Sequence, residues 1–240
     1  MEIKVYTDYE ALSEAVAQLL IETLREKPDA TICVASGDTP LGAYRHMVQR
    51  VAETGLDCSR ARFIGLDDWV GISPQNPGSC QYPVRHHLLG PLGIAESQIH
   101  FFDAQSADLQ AECRKMDGVI AAAGGLDLIL VGVGLNGHIG LNEPGISPAL
   151  LCHVSELADM TIRVGQKYFD QETPLTQGIT LGLGHFMAAR KAVVMASGTG
   201  KAAIIRDAVH QEISPELPAT ILRRHSQGYL LLDEAASALL

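Results

Sequence analysis

The stretch LILVGVGLNGHIGLNEPG, residues 128–145, decides how the chain is read. Leu128 to Val131 form a short aliphatic run, the pattern of a strand buried on both faces. Glycines follow as Gly132-x-Gly134-x-x-Gly137, and then come His138 and Glu143. In open α/β sheets, ligands bind outside the carboxyl ends of strands, in loops such as this one. The spacing also spells a dinucleotide fingerprint, which requires a helix directly after the glycines and an acidic ribose partner further on. Gly140, Pro144 and Gly145 interrupt any such helix. The glycines therefore shape a loop.

Outward from this point, strands and helices alternate. Val5-Tyr6 ends an opening strand, and Thr7-Asp8-Tyr9-Glu10 reads as a capping box. Leu12, Val16, Leu19, Leu20 and Leu24 then recur at helical spacing. Thr31 to Ala35 reads as a buried strand, with a helix beginning near Pro40, a residue suited to a first turn. Further strands are predicted at Arg62 to Leu66, Gln98 to Phe102, Leu126 to Val133 and Ala192 to Ala196, with Tyr229 to Leu232 closing the sheet. Helices are predicted at Ser79 to Leu89, Leu109 to Ala123 and Lys201 to His210. This alternation implies βαβ units: a doubly wound α/β fold, a mostly parallel sheet with helices on both faces, in a Rossmann-like three-layer sandwich. With no repeat, linker or low-complexity segment, residues 1–240 are expected to form one domain.

Composition narrows the function classes. Of 240 residues, 47% are apolar, 19% charged and 5% aromatic, which suits an aliphatic core and many short turns. No apolar stretch is long enough for a membrane span, and the N-terminus lacks the pattern of a signal peptide, so a cytoplasmic location is expected. The net charge of −10 argues against a nucleic-acid surface. Cys33, Cys58, Cys80, Cys113 and Cys152 are odd in number and contain no C-x-x-C pair; they read as buried or incidental thiols, with no metal site expected.

Three loops at strand ends carry the chemistry. Ser36-Gly37-Asp38-Thr39-Pro40 has the parts of an anion cradle: a glycine for a sharp turn, two hydroxyls and a new helix start. A plain strand-to-helix turn has the same parts. Asp38 is awkward beside an anion, and its side chain is expected to turn away and cap the helix. Asp67-Asp68-Trp69 offers two carboxylates pointing in different directions, one a general base and the other an anchor, or both merely opening a polar loop. In the third loop, His138 beside Asn136 and Glu143 reads as an acid–base unit, or as a structural histidine in a tight turn.

In this order, the loops resemble the glucosamine-6-phosphate isomerase/deaminase family over almost the full chain. Leu66-Asp67-Asp68-Trp69 is similar to the family's M/L-D-E-Y, and Asn136-Gly137-His138-Ile139-Gly140-Leu141-Asn142-Glu143-Pro144 to its D-G-H-I-A-F-N-E-P. Gly178 to Gly182 and Ser197 to Ala202 match later segments. The resemblance implies aldose–ketose isomerisation with loss of ammonia from an amino-sugar 6-phosphate, without metal or organic cofactor. It implies Asp67 as the base moving a proton between C2 and C1, and His138, supported by Glu143, as the ring-opening group. Phosphate would rest on Ser36, Gly37, Asp38 and Thr39, with Lys201 as counter-charge. Lys167 stands where the family often carries a phosphate-binding arginine, with Arg163 as the alternative. The expected partner is a phosphosugar, without nucleic acid or membrane; family members occur as monomers and as homo-oligomers.

The chain also departs from the family pattern. Asn136 replaces an aspartate beside the histidine, and Pro77-Gly78-Ser79-Cys80 replaces a histidine-containing segment. With Gly140-Leu141, these changes resemble the galactosamine-6-phosphate branch, whose product is tagatose 6-phosphate; glucosamine 6-phosphate, giving fructose 6-phosphate, is the alternative. A 6-phosphogluconolactonase would share the anion loop and a G-x-x-G-H segment but lack the Asn142-Glu143-Pro144 continuation. A phosphosugar sensor domain would share the architecture without turnover.

Overall fold

The computed structural model describes residues 1–240. Seven strands form one sheet, every neighbouring pair parallel: β1 (Glu2–Tyr6), β2 (Thr31–Val34), β3 (Arg62–Gly65), β5 (Ile99–His100), β6 (Leu128–Val131), β9 (Lys191–Ala196) and β10 (Gly228–Asp233). Their order is β1-β10-β9-β6-β2-β3-β5. From β2 the chain winds outward through β3 to β5, then returns to the other side of β2 and continues through β6, β9 and β10. The winding thus reverses between β2 and β6, where the loops diverge and a crevice opens at the carboxyl ends.

Two apolar layers follow from strand alternation. Leu128 and Leu130 pack with Leu12, Val16, Leu20 and Leu24 of α1 (Tyr9–Glu26) and Met47 of α2 (Leu41–Thr54). Ile129 and Val131 face the other way, onto Met116 of α4 (Leu109–Ala122), Phe186 of α6 (Leu183–Ala188) and Ile205 of α7 (Ala202–His210). Burying each such aliphatic side chain contributes roughly 1.5–3 kcal/mol, so neither face tolerates a charge. This is the doubly wound sandwich the alternation implied.

A second sheet was not foreseen. β4 (Asp67–Trp69), β8 (Gln177–Thr180) and β7 (His153–Glu156) form an antiparallel three-stranded sheet in the order β4-β8-β7. Leu66 is the transfer point: its N–H donates to Val34 in the large sheet and its carbonyl accepts from Leu181 beside the small one. Four local readings also change. Tyr229 to Leu232 does not close the sheet, because β10 lies between β1 and β9. Asp8, rather than a Thr7–Glu10 box, caps α1 by accepting from Ala11 N–H at 2.8 Å. β5 pairs only through Ile99 and His100, because the Phe101 ring lies against Gly65, where an added Cβ would meet it at 2.1 Å. The expected helix at Ser79 to Leu89 is a short α3 (Gln81–Val84) widening into a π-helical turn over Arg85–Leu89. Pro83 is tolerated because it sits in the first turn, where its missing N–H has no partner to lose.

Candidate active site

The loop after β2 is fixed by two tyrosines. Tyr44 donates to the carbonyl of Ala35 at 2.5 Å, and the Tyr9 hydroxyl lies 3.1 and 3.0 Å from the carbonyls of Asp38 and Thr39 while accepting from Gly42 N–H. Gly37 has φ = +88°, a left-handed conformation that favours glycine. Helix α2 starts after Pro40 with no side-chain cap. Asp38 therefore does not cap it, contrary to expectation; its carboxylate pairs with Lys167 at 2.7 Å. Proline at the cap position carries no side-chain acceptor, and the Asp38 side chain is directed to Lys167 instead.

Strand β4 separates the two carboxylates. Adjacent strand residues face opposite ways, and the pairing sets Asp67 opposite Thr180 and Asp68 opposite Ile179. Asp68 points into the protein, accepting from the N–H groups of Trp69 (2.9 Å) and Cys80 (2.8 Å) and from Gln81 Nε2 (3.1 Å). Asp67 faces the crevice, buried and without a cationic partner. Burial, and next the charge of Asp68, raise its carboxyl from the ordinary 3.8 to about 7. That is the range in which a general base is most effective near neutrality. The ambiguity of the sequence is resolved by geometry: Asp68 is the anchor and Asp67 the free carboxylate.

The histidine loop closes over the same crevice. Its chain turns at Gly140 (φ = +58°), where an added Cβ would meet Thr180 Oγ1 at 2.8 Å and Asp67 Oδ2 at 3.4 Å. The loop backbone thus runs directly against Asp67. Asn142 locks the turn to the end of β8, donating to the carbonyls of Ile139 and Leu181, each at 2.8 Å. His138 lies flat on Gly134, where a Cβ would meet the ring at 2.4 Å, so this fingerprint glycine makes room for an imidazole. His138 Nδ1 is 3.1 Å from Thr161 Oγ1 and 3.6 Å from Glu143 Oε2. Asn136 donates to Glu143 Oε2 at 2.8 Å and accepts from His138 N–H at 3.2 Å. Burial pushes the Glu143 carboxyl up, but hydrogen bonds from His138, Thr161 and Asn136 outweigh it and hold it below the usual range.

One cleft gathers these groups. Ser36, Gly37, Asp38, Thr39, Asp67, Asn136 and His138 all line it. Lys167 and Lys201 line it as well, whereas Arg163 is exposed elsewhere on α5 (Asp159–Gly165). Lys201 donates to the carbonyl of Val133 at 2.6 Å; burial, and next the charge of Lys167, lower its pKa. Glu143 does not line the cleft but stands behind His138, only 5% exposed. The cleft therefore presents a buried carboxylate and an imidazole near a backbone loop with two lysines.

Comparison with known proteins agrees with this geometry. The family model described as glucosamine-6-phosphate isomerases/6-phosphogluconolactonase matches residues 7–231. The chain belongs to that family. It is 34% identical to a glucosamine-6-phosphate deaminase of Thermoanaerobacter sp. (strain X514) over 242 aligned residues, covering 100% of this chain and 95% of the relative. It is 36% identical to a protein of Escherichia coli (strain K12) named as a deaminase, AgaI, covering 94% and 89%. A solved monomeric glucosamine-6-phosphate deaminase superposes with a TM-score of 0.97 at 30% identity over 100% of both chains. A 6-phosphogluconolactonase from Trypanosoma brucei, at 20% identity and a TM-score of 0.78 over 100% of this chain and 98% of that one, shares the fold. Within the family, this enzyme is an amino-sugar-6-phosphate isomerase/deaminase.

Sequence reasoning missed several parts of the cleft. Thr161 reaches His138 from α5, and nothing local to Asp159-Met160-Thr161 signals it. Tyr168 lines the cleft beside Lys167, and Cys80, read as incidental, sits in the wall beside Asp67 and Ser36. Burial, then the Asp67 charge, push the Cys80 thiol well up, so it keeps its proton. Asp117, Cys152 and His185 bring potential metal-ligand atoms within 4.8 Å of one another away from the cleft. Asp117 Oδ1 already accepts from Cys152 N–H (3.0 Å) and pairs with His185 Nε2 (2.7 Å), and burial raises the Cys152 thiol pKa, so the cluster reads as a stitch between α4, α6 and the start of β7. No helix is long and apolar enough to cross a membrane.

Proposed function

We propose that the cleft converts glucosamine 6-phosphate and water to fructose 6-phosphate and ammonia. The observation that carries this reading is the convergence of Asp67, raised to about 7, and the His138–Glu143–Thr161 group on one cleft that also holds the Ser36–Thr39 loop and two lysines. His138 moves the proton between the C1 hydroxyl and the ring oxygen, opening the ring. Asp67 takes the C2 proton of the open aldose and returns it to C1. The resulting C2 imine adds water, and ammonia leaves. The substrate phosphate lies on the Ser36–Thr39 loop against Lys167 and Lys201, a placement supported by the free N–H groups and fixed backbone of that loop. Full-length likeness to glucosamine-6-phosphate deaminases supports this substrate.

A second reading, galactosamine 6-phosphate to tagatose 6-phosphate, is favoured by Asn136, whose amide engages Glu143 where the family carries an aspartate. The test is ammonia release from both amino sugars, assayed side by side with ketose formation. Release from glucosamine 6-phosphate with the higher kcat/KM supports the first reading, and the reverse order supports the second. Silence with both amino sugars, together with hydrolysis of a 6-phosphogluconolactone, would sink both.

A further inference from the structure

The loop expected to receive phosphate carries an anion of its own. Asp38 stands between Gly37 and Thr39, and its Oδ2 accepts from Lys167 Nζ at 2.7 Å across 129 positions of sequence. The pair joins the loop after β2 to the segment after α5, and both residues line the cleft. Asp38 is not needed to shape its loop, because the Tyr9 and Tyr44 hydroxyls hold the backbone and α2 has no side-chain cap. Nor does it touch Lys201, whose ammonium is directed to the Val133 carbonyl. Of the two lysines that face the cleft, one is thus already neutralised in the free protein. The side chains of Lys167 and Asp38 are 49% and 70% exposed, so the pair is solvated, weak and exchangeable.

We propose that Asp38 is an internal competitor for the anion subsite: its carboxylate occupies Lys167 in the free enzyme, and an arriving phosphate must take the lysine from it. The inference rests on the phosphate reading of the Ser36–Thr39 loop. Asp38 then acts through Lys167 as a specificity-determining residue, lowering affinity for phosphorylated ligands and speeding departure of the phosphorylated product as the pair re-forms. A residue that only stabilised the loop would instead help ligand binding.

The experiment is calorimetric titration of inorganic phosphate and of fructose 6-phosphate into the wild type, Asp38→Asn, Lys167→Met and the double variant. Asp38→Ser serves as a second form of the first substitution, and thermal unfolding verifies that each variant is folded. We expect Asp38→Asn and Asp38→Ser to bind phosphate about two- to fivefold more tightly at low ionic strength. The gain shrinks at about 0.5 M salt, where screening is strong, and largely disappears in the Lys167→Met background. Equal or weaker binding by both Asp38 variants overturns the proposal. So does an undiminished gain without Lys167, which would make Asp38 a through-space repeller. Ammonia release by a wild type that binds no phosphate at this loop overturns it while sparing the reaction. Tighter phosphate binding by the variants of a protein with no turnover supports it while removing the reaction.

Discussion

Replacing Asp67 by asparagine should raise stability above about pH 5 and sharply lower turnover, and the two effects should have different pH dependence. The Asp67 carboxyl is buried without a counter-ion and titrates at about 7 against an ordinary 3.8. It therefore binds its proton more tightly in the folded chain. Its contribution favours the folded state below pH about 4 and is lost as pH rises towards 7, by roughly 1.4 kcal/mol per pH unit or about 4 kcal/mol in all. Asparagine escapes that loss, but exchanging the carboxyl for an amide disturbs its side-chain hydrogen bond with Cys80, at a cost of about 1–2 kcal/mol. The variant should match wild type near pH 5 and exceed it by about 2–3 kcal/mol at pH 8. For a chain of this size that is roughly 4–12 °C in Tm. Differential scanning calorimetry at both pH values, paired with ammonia release, measures the two effects. Turnover should fall by about 10²–10⁴. A Tm difference that does not change with pH would refute the reasoning, as would undiminished turnover.

Three further outcomes follow from the same geometry. Asp68→Asn removes the charge beside Asp67, so the acid limb of the kcat/KM profile should move down by about one pH unit; an unmoved or raised limb would exclude Asp68 as a source of the Asp67 shift. Gly134→Ala places a methyl 2.4 Å from the His138 ring, so the ring must move; we expect at least about a tenfold loss of kcat with a smaller proportional effect on Tm, and full activity would mean His138 is not held by this contact. Thr161→Val removes the hydroxyl 3.1 Å from His138 Nδ1, so turnover should fall about tenfold with KM little changed; a purely KM effect would place Thr161 in binding instead.

The sequence alone determined the layer architecture and the positions of the chemical loops. In a chain that alternates such runs with amphipathic helices, Leu128 to Val131 reads as a buried strand, and the glycine-rich or acidic turns that follow such strands lie along the carboxyl edge of the sheet. The loop motifs also carried the family, which the full-length comparisons bear out. What required the folded chain was every relation between remote segments. Which of Asp67 and Asp68 faces the cleft depends on the pairing of β4 with β8, more than a hundred positions away. The support of His138 by Thr161, the pairing of Asp38 with Lys167 and the fate of Lys201 arise the same way. Side-chain periodicity is a local property, legible in any ten residues. The meeting of two loops is fixed by long-range packing, which leaves no mark on the local pattern of either.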